Sequence, residues 1–394
     1  MQKKWCDLVA HIAQQPLPVS QMPRKITVFL SAPPGDGIRP SRDYFKEYIK
    51  PVLVAAAMDY DVIEGRKEGD IRYGTAEQIR RLRRKKGEQG TTVTEEEMDV
   101  ERAIDLVRDK MHVQPEPGRR GDLVIGRHTW KEYIRGLHEG WLGPVEEPTP
   151  PSAEPEPVPS DPPTQTKTDD SEVPSPDPNV AGAEKKADDK EKKSVFPPPS
   201  YLPVEGYSSA PLSPHTPSTM EPSVPIHQQH LLGFLKTPQR IYNFLNRRSL
   251  ADSIGRETAA VVLAAYRPYR HDESFPSPPP AEGLDADPLA TKAPENDALG
   301  VQTRQTWEQQ TVLESEEATW HKSVRKPPKD GDKTERVWLN DVVLDSRIAE
   351  RMRRFELDPA EEERADRIAR GEEKGFAVPV HDLRSEKVVI DKFD

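Results

Sequence analysis

Residues 24–71 read RKITVFLSAPPGDGIRPSRDYFKEYIKPVLVAAAMDYDVIEGRKEGDI, and their patterning decides the fold. An apolar, β-rich run at Ile26–Leu30 meets a Pro/Gly break at Ala32–Pro40. Ser41 is placed to cap a helix in which Phe45, Ile49, Val52 and Ala56 follow a 3.6-residue period. Pro51 lies inside that pattern and removes a backbone donor, so a kink is expected there. A second short strand follows at Tyr60–Ile63. Strand, loop, helix and strand in this order build parallel sheets, whose ligands sit beyond the strands' carboxyl ends.

Downstream, Thr94 and Glu97 form a capping-box pattern. Behind them Val100, Ile104, Val107 and Met111 make one apolar stripe, expected to pack on the sheet. Asp122–Ile125 reads as a third strand, and Trp130–Trp141 as a short helix turning Ile134 and Leu137 inward. Residues 144–225 then hold half of the chain's 42 prolines among Ser, Thr, Glu, Asp and Lys. Such a segment buries too little apolar surface to offset its ordering entropy, which predicts a disordered linker of polyproline II character.

Order is expected to return at residue 226. LLGF (231–234) is a candidate strand. Thr237 and Pro238 open a helix whose apolar residues are Ile241, Phe244 and Leu245 and whose cations are Arg240, Arg247 and Arg248. That face either packs in the core or meets lipid headgroups. Ala259–Ala265 reads as a buried strand, and 271–300 as a second loose segment. In the remaining residues, 301–394, Val337–Leu344 resembles a strand and Asp345 a cap for a helix over Arg347–Phe355. Asp358–Gly371 is a charged, solvated helix, and Val388–Ile390 a terminal strand.

Composition narrows the function classes. The formal net charge of −11 argues against general nucleic-acid binding. Cys6 is the only cysteine, which excludes an internal disulfide and any C-x-x-C site. No stretch approaches the ~18 apolar residues of a membrane-spanning helix, and there is no secretory leader pattern. No H-E-x-x-H or G-x-S-x-G motif occurs, so no catalytic, cofactor or metal ligand set is assigned. The loop at Ala32–Pro40 has no G-K-[ST], and Pro40 stands at the third glycine of a dinucleotide loop; it reads as a tight turn.

Two sets of cations carry the remaining site candidates. Arg80, Arg81, Arg83, Arg84, Lys85 and Lys86 form either a solvated helix face or a contact for anionic phospholipid headgroups. In the segment 1–23, Trp5, Val9 and Ile12 share one helical face behind Lys3 and Lys4. That pattern is a docking helix or, since Lys and Trp favour bilayer interfaces, a juxtamembrane helix with Lys3, Lys4 and Trp5 at the surface.

Several long strings carry a family resemblance. WCDLVAHIAQQPLP (5–18), PRKITVFLSAPPGDGIRP (23–40), FKEYIKPVLVAAAMDYDVIEGRKEGDIRYG (45–74) and LLGFLKTPQRIYNFLNRRSLADSIGRE (231–257) resemble the fungal subunit-fifty-four family of the mitochondrial inner-membrane carrier translocase. The resemblance implies a non-catalytic scaffold supporting insertion of multispanning proteins. It implies a large intermembrane-space domain and a membrane span preceding Lys3, which this chain lacks. The implied partners are the channel subunit and the small intermembrane-space chaperones. A weaker likeness is to the diacylglycerol and sphingosine lipid-kinase fold. Of that fold's G-G-D-G-T motif only Gly126 and Thr129 remain in IGRHT (125–129).

The reading is therefore an α/β, lipid-kinase-like parallel-sheet domain (24–143) plus a C-terminal α+β part, with long disordered proline-rich insertions. The alternatives are an active lipid kinase or nucleotide-binding enzyme, and an adaptor recruiting SH3- or WW-type domains through its proline-rich segment.

Overall fold

The computed structural model describes residues 1–15, 20–88, 95–113, 120–147, 197–272, 306–326 and 335–373. The chain opens with helix α1 (Gln2–Val9) and strand β1 (Lys25–Ser31). Helices α2 (Arg39–Tyr44) and α3 (Lys50–Ala55), joined by a π-helical turn at Phe45–Ile49, lead to β2 (Asp59–Gly65). Helices α4 (Asp70–Lys85) and α5 (Glu95–Lys110) precede β3 (Gly121–Ile125), and α6 (Arg127–Leu142) follows it. Then come β4 (Pro222–Ile226), α7 (Thr237–Leu245), α8 (Arg247–Val262) and β5 (Tyr266–Pro268). A short pair, β6 (His271–Asp272) with β7 (Thr306–Trp307), precedes α9 (Glu308–Thr311), α10 (Ser346–Ala349), β8 (Arg353–Phe355) and α11 (Pro359–Ala369).

One sheet carries the fold, in the order β2-β1-β3-β4-β8-β5, parallel except for β5. Ile26 pairs with Tyr60 on one side and Gly121 on the other. Alternation along the strands supplies two cores. Ile26, Val28, Leu30, Leu123 and Ile125 face α1, α3 and α8, while Phe29 and Val124 face α4 and α6. The strand order reverses at β1, so the switch point lies between the carboxyl ends of β1 and β3.

The helix after β1 starts at Arg39, before the expected Ser41 cap, so Ser41 lies inside it and donates to Ser31 O instead; it answers its proline as expected. Pro51 cannot donate to the carbonyl four residues back, and the helix widens into the π turn just before it. The stranded Glu47 carbonyl accepts the Gln2 side-chain amide instead, at 2.5 Å.

Several expected elements differ. Residues 222–226, all but the last of them in the expected linker, form β4 in the sheet interior. Ile226 accepts from Gly126 N, so Val224 and Ile226 turn their backbone groups toward β3. Pro225 faces the other way, past the last residue paired with β8, where its missing N–H costs no ladder bond. Ala259–Val262 closes helix α8 rather than forming a strand. An apolar run of strand length cannot be told from a buried helix end by periodicity. Residues 231–233 and 337–344 are irregular, and the helix expected over 347–355 stops at Ala349 before β8. The Asp345 cap is present, accepting from Arg347 N at 2.9 Å. The α5 stripe does not pack on the sheet: Ile104, Val107 and Met111 are exposed, because α4 and α6 already cover that face. Val388–Ile390, Thr94 and most of residues 144–196 lie outside the described residues.

Two close approaches fix the layers. Gly136 and Gly140 of α6 face α4, and an added Cβ would lie 2.6 Å from Arg72 O and 2.7 Å from the Ile79 side chain. Gly255 of α8 likewise admits the Trp5 ring, which is buried and donates to Asp252 at 2.9 Å. Trp5→Ala is therefore expected to cost ~3–5 kcal/mol of unfolding free energy in urea titrations. A variant as stable as the parent would show that Trp5 is not core.

Candidate functional site

In a doubly wound sheet the crevice at the switch point is the place for a ligand. Here the chain fills it. Helix α6 starts at Arg127, directly after β3, with Gly126 at φ +85°. A helix start offers unpaired N–H groups to an anion. The anion at this one is Glu316, whose carboxylate accepts from Arg127 N and Gln228 N, both at 2.8 Å. Glu316 is 3% exposed. His227 Nδ1 lies 2.6 Å from the same carboxylate. Burial pulls the His227 pKa down, but the hydrogen bond and charge of Glu316 outweigh it and hold it raised.

Most neighbouring groups are engaged as well, although the buried Gln228 Oε1 and Gln309 Oε1 find no hydrogen-bond partner among the described residues. Arg127 reaches Glu317 at 2.7 Å and the Val312 carbonyl at 2.7 Å. Trp130 Nε1 donates to Gln309 O at 2.9 Å. Ser31 and Thr129 hydroxyls share a bond of 2.6 Å, and Ser41 donates to Ser31 O at 2.6 Å. A Cβ on Gly126 would strike His128 and Gln228 within 2.9 Å. The glycine thus serves internal packing and a left-handed turn, and Gly35 (φ +89°) sits against His321 and Ser323. The Ala32–Pro40 loop is a turn sealed by residues near 320. Glu316, His227 and Gln228 escaped sequence reading, because no local spacing links them to residues 125–129.

Behind this N-terminus, all sixteen residues of α6 are buried, including Arg127, His128, Lys131, Glu132, Arg135, His138 and Glu139. Glu139 accepts Arg72 and Arg80, each at 2.6 Å, and also Tyr201 N and Ser200 Oγ at 3.1 Å. Burial pushes the Glu139 carboxyl up, yet Arg72 and Arg80 hold it below the ordinary range. Glu132 takes Ile71 N at 2.9 Å, at the start of α4, and Trp338 Nε1 at 2.5 Å. Burial dominates there and raises its pKa to about 7. Lys131 donates to the Trp338 and Asn340 carbonyls and pairs with Glu317 at 2.8 Å. His138 is held neutral: Nε2 accepts from Asp345 N at 2.9 Å, and burial lowers its pKa to about 4.

The basic run behaves differently from a headgroup contact. Arg80 is fully buried under the Tyr201 ring, 3.9 Å from its centroid. Arg83 is buried on the Gly140 and Gly143 carbonyls and pairs with Glu88. Arg84 pairs with Glu77 and is largely covered. These three are corrected to structural roles: Arg80 and Arg83 follow Ile71, Thr75, Ala76 and Ile79 on the inward stripe of α4. Arg81, Lys85 and Lys86 are exposed; Lys85 pairs with Asp105, and Lys86 donates to His215 O. At the N-terminus, Trp5 is core rather than surface. Lys3 is exposed, and Lys4 pairs with Glu362 at 3.1 Å. The structure does not bring the two cation sets together. No helix among the described residues is long and apolar enough to cross a membrane.

Comparison with known proteins gives a family model described as inner membrane protein import complex subunit Tim54, which matches residues 1–355. A mitochondrial import inner membrane translocase subunit tim54 of Aspergillus fumigatus is 52% identical over 374 residues, covering 95% of this chain and 84% of its own. The protein of the same name from Neurospora crassa is 43% identical, covering 94% and 74%. That of Schizosaccharomyces pombe is 35% identical over 263 residues, covering 66% and 69%.

Two outcomes test the buried network. Glu139→Gln leaves Arg72 and Arg80 facing a neutral amide and is expected to cost ~3–5 kcal/mol in denaturant unfolding; a loss under ~1 kcal/mol would contradict the arrangement. Glu132 keeps its proton in the folded state up to about 7, whereas unfolded it loses it near 4.5. Its contribution to stability therefore falls as pH rises through that window. Melting temperatures measured from pH 4.5 to 7.5 should show Glu132→Gln gaining on the parent as pH rises. A constant gap would refute the raised pKa.

Proposed function

The chain belongs to the Tim54 family of inner membrane protein import complex subunits, and from that premise we propose that it works as a non-catalytic scaffold in the mitochondrial inner-membrane translocase. It holds the channel subunit and the small chaperones that deliver multispanning precursors, with its folded body on the intermembrane-space side. The observation that carries the reading is Glu316. At the switch point, where an enzyme of this architecture would need an open crevice, the chain's own carboxylate occupies the helix start and residues 309–320 close over it. A body filled in this way has its broad outer surface left for work, and broad surfaces bind proteins.

Crosslinking mass spectrometry of the native inner-membrane complex tests the scaffold role. Links from the described body to the channel subunit and to the small chaperones are expected; a complex without any such link would sink it. The non-catalytic part has its own test. Adding ATP with magnesium should leave the melting temperature of the purified chain unchanged, and a saturable upward shift would overturn it.

A further inference from the structure

Helix α7 and the turn before it present their apolar side chains outward. Phe234 and Leu235 are 88% and 91% exposed, and Ile241, Tyr242, Phe244 and Leu245 are each more than half exposed. On a nine-residue helix these last four share one side, while Asn243 turns toward the body. An amphipathic helix on a soluble surface shows the reverse arrangement. None of its residues is buried, and among the described residues nothing covers the apolar side.

The groove under α7 holds Asp36, Asp43 and Glu47, so it is the charges on the segment itself that select an occupant for its outer side. The chain carries 68 acidic residues, yet none lies between Glu221 and Asp252. Within that stretch stand Lys236, Arg240, Arg247 and Arg248. Arg247 lies 4.8 Å from the Phe244 ring centroid, which keeps a cation at the edge of the apolar face. Arg247 also pairs with Glu47 at 3.0 Å, and Glu47 O takes the Gln2 amide. The start of α1, with exposed Met1 and Lys3, therefore lies at the same end of the molecule. The other exposed apolar stripe, on α5, is threaded with Glu and Asp and lacks this character.

We infer that the segment Phe234–Arg248, centred on α7, is an interfacial element that lies on an anionic phospholipid surface. Its aromatic and aliphatic side chains enter the headgroup–acyl boundary, while the exposed Arg240 and Arg248 meet lipid phosphates; Lys236 instead donates to Thr319 O at 2.6 Å. Arginine and lysine at the rim with Phe and Leu between them is the composition that such a surface selects. The inference goes beyond the scaffold reading and does not depend on it, because pure lipid vesicles contain no protein partner.

Sedimentation of the full 394-residue chain with phosphatidylcholine vesicles, with and without phosphatidylglycerol, tests it. Binding to the anionic vesicles is expected, weakening with salt. Ile241→Gln with Leu245→Gln should reduce it by about tenfold, and Arg240→Glu with Arg248→Glu by a similar factor. Melting curves matching the parent's should confirm that both variants fold, since all four side chains are exposed. Failure of the parent to bind anionic vesicles would overturn the inference. So would equal binding by the folded apolar variant, or self-association through this face in sedimentation velocity without vesicle binding.

Discussion

Glu139 with Arg72 and Arg80 is the contact on which the rest of the fold depends. A helix buried on every side, yet carrying eight ionisable side chains, is unfavourable unless each one is partnered. Burial alone would drive Glu139 toward its neutral form. Two guanidiniums at 2.6 Å, a backbone N–H and a hydroxyl reverse that. The guanidiniums come from α4, and Gly136 and Gly140 let α4 approach closely enough to deliver them. The remaining partners come from residues 200–201, inside the stretch expected to be linker. Ser200 and Tyr201 thereby tie this later stretch to α6 as donors to Glu139.

The same requirement explains the irregular C-terminal half. Lys131 needs carbonyls, and Trp338 and Asn340 supply them from a stretch that would otherwise suit a strand. Arg135 needs a carboxylate and takes Glu335 at 2.8 Å, together with the Tyr207 hydroxyl. His138 stays neutral and accepts from Asp345 N, whose side chain in turn caps α10. Each partner is fixed by what α6 lacks rather than by local propensity. The helix start follows the same rule: Glu316 neutralises it from within, where other α/β proteins await a ligand.

These dependencies decide what the sequence could disclose. The β1–α2–α3–β2 unit was legible because its alternation and its 3.6-residue period are local, and Pro51 marks its own disturbance. β4 was hidden because PSVPI looks like the proline-rich linker beside it; only the end of β8 pairing reveals why Pro225 is tolerated. The apolar run at 259–265 gave the wrong period because residues 250–258, which carry the helical register of α8, are mixed in polarity. Arg80 and Arg83 looked like surface cations by composition. Their register with Ile71, Ala76 and Ile79 already placed them on the inward stripe, and that signal outweighs charge when an acceptor such as Glu139 waits opposite. No register argument reaches Glu316, whose role is set entirely by tertiary closure.

Charge placement separates the interior from the exterior in this acidic chain. Inside, every arginine on the α4–α6 seam has a named acceptor, so those cations are spent on structure. Outside, the stretch before Asp252 carries no acid and leaves Arg240 and Arg248 exposed beside an apolar face that the core does not use. If the core needed Ile241 and Leu245, α7 would be rotated to bury them against the groove beside Tyr44 and Tyr48. Instead Asn243 faces that groove, with Phe244 at its edge and Arg240 and Arg247 along it opposite Asp36, Asp43 and Glu47. The exposed face is thus a consequence of how α7 is seated on the body, and a chain with unmet apolar needs would have turned it inward.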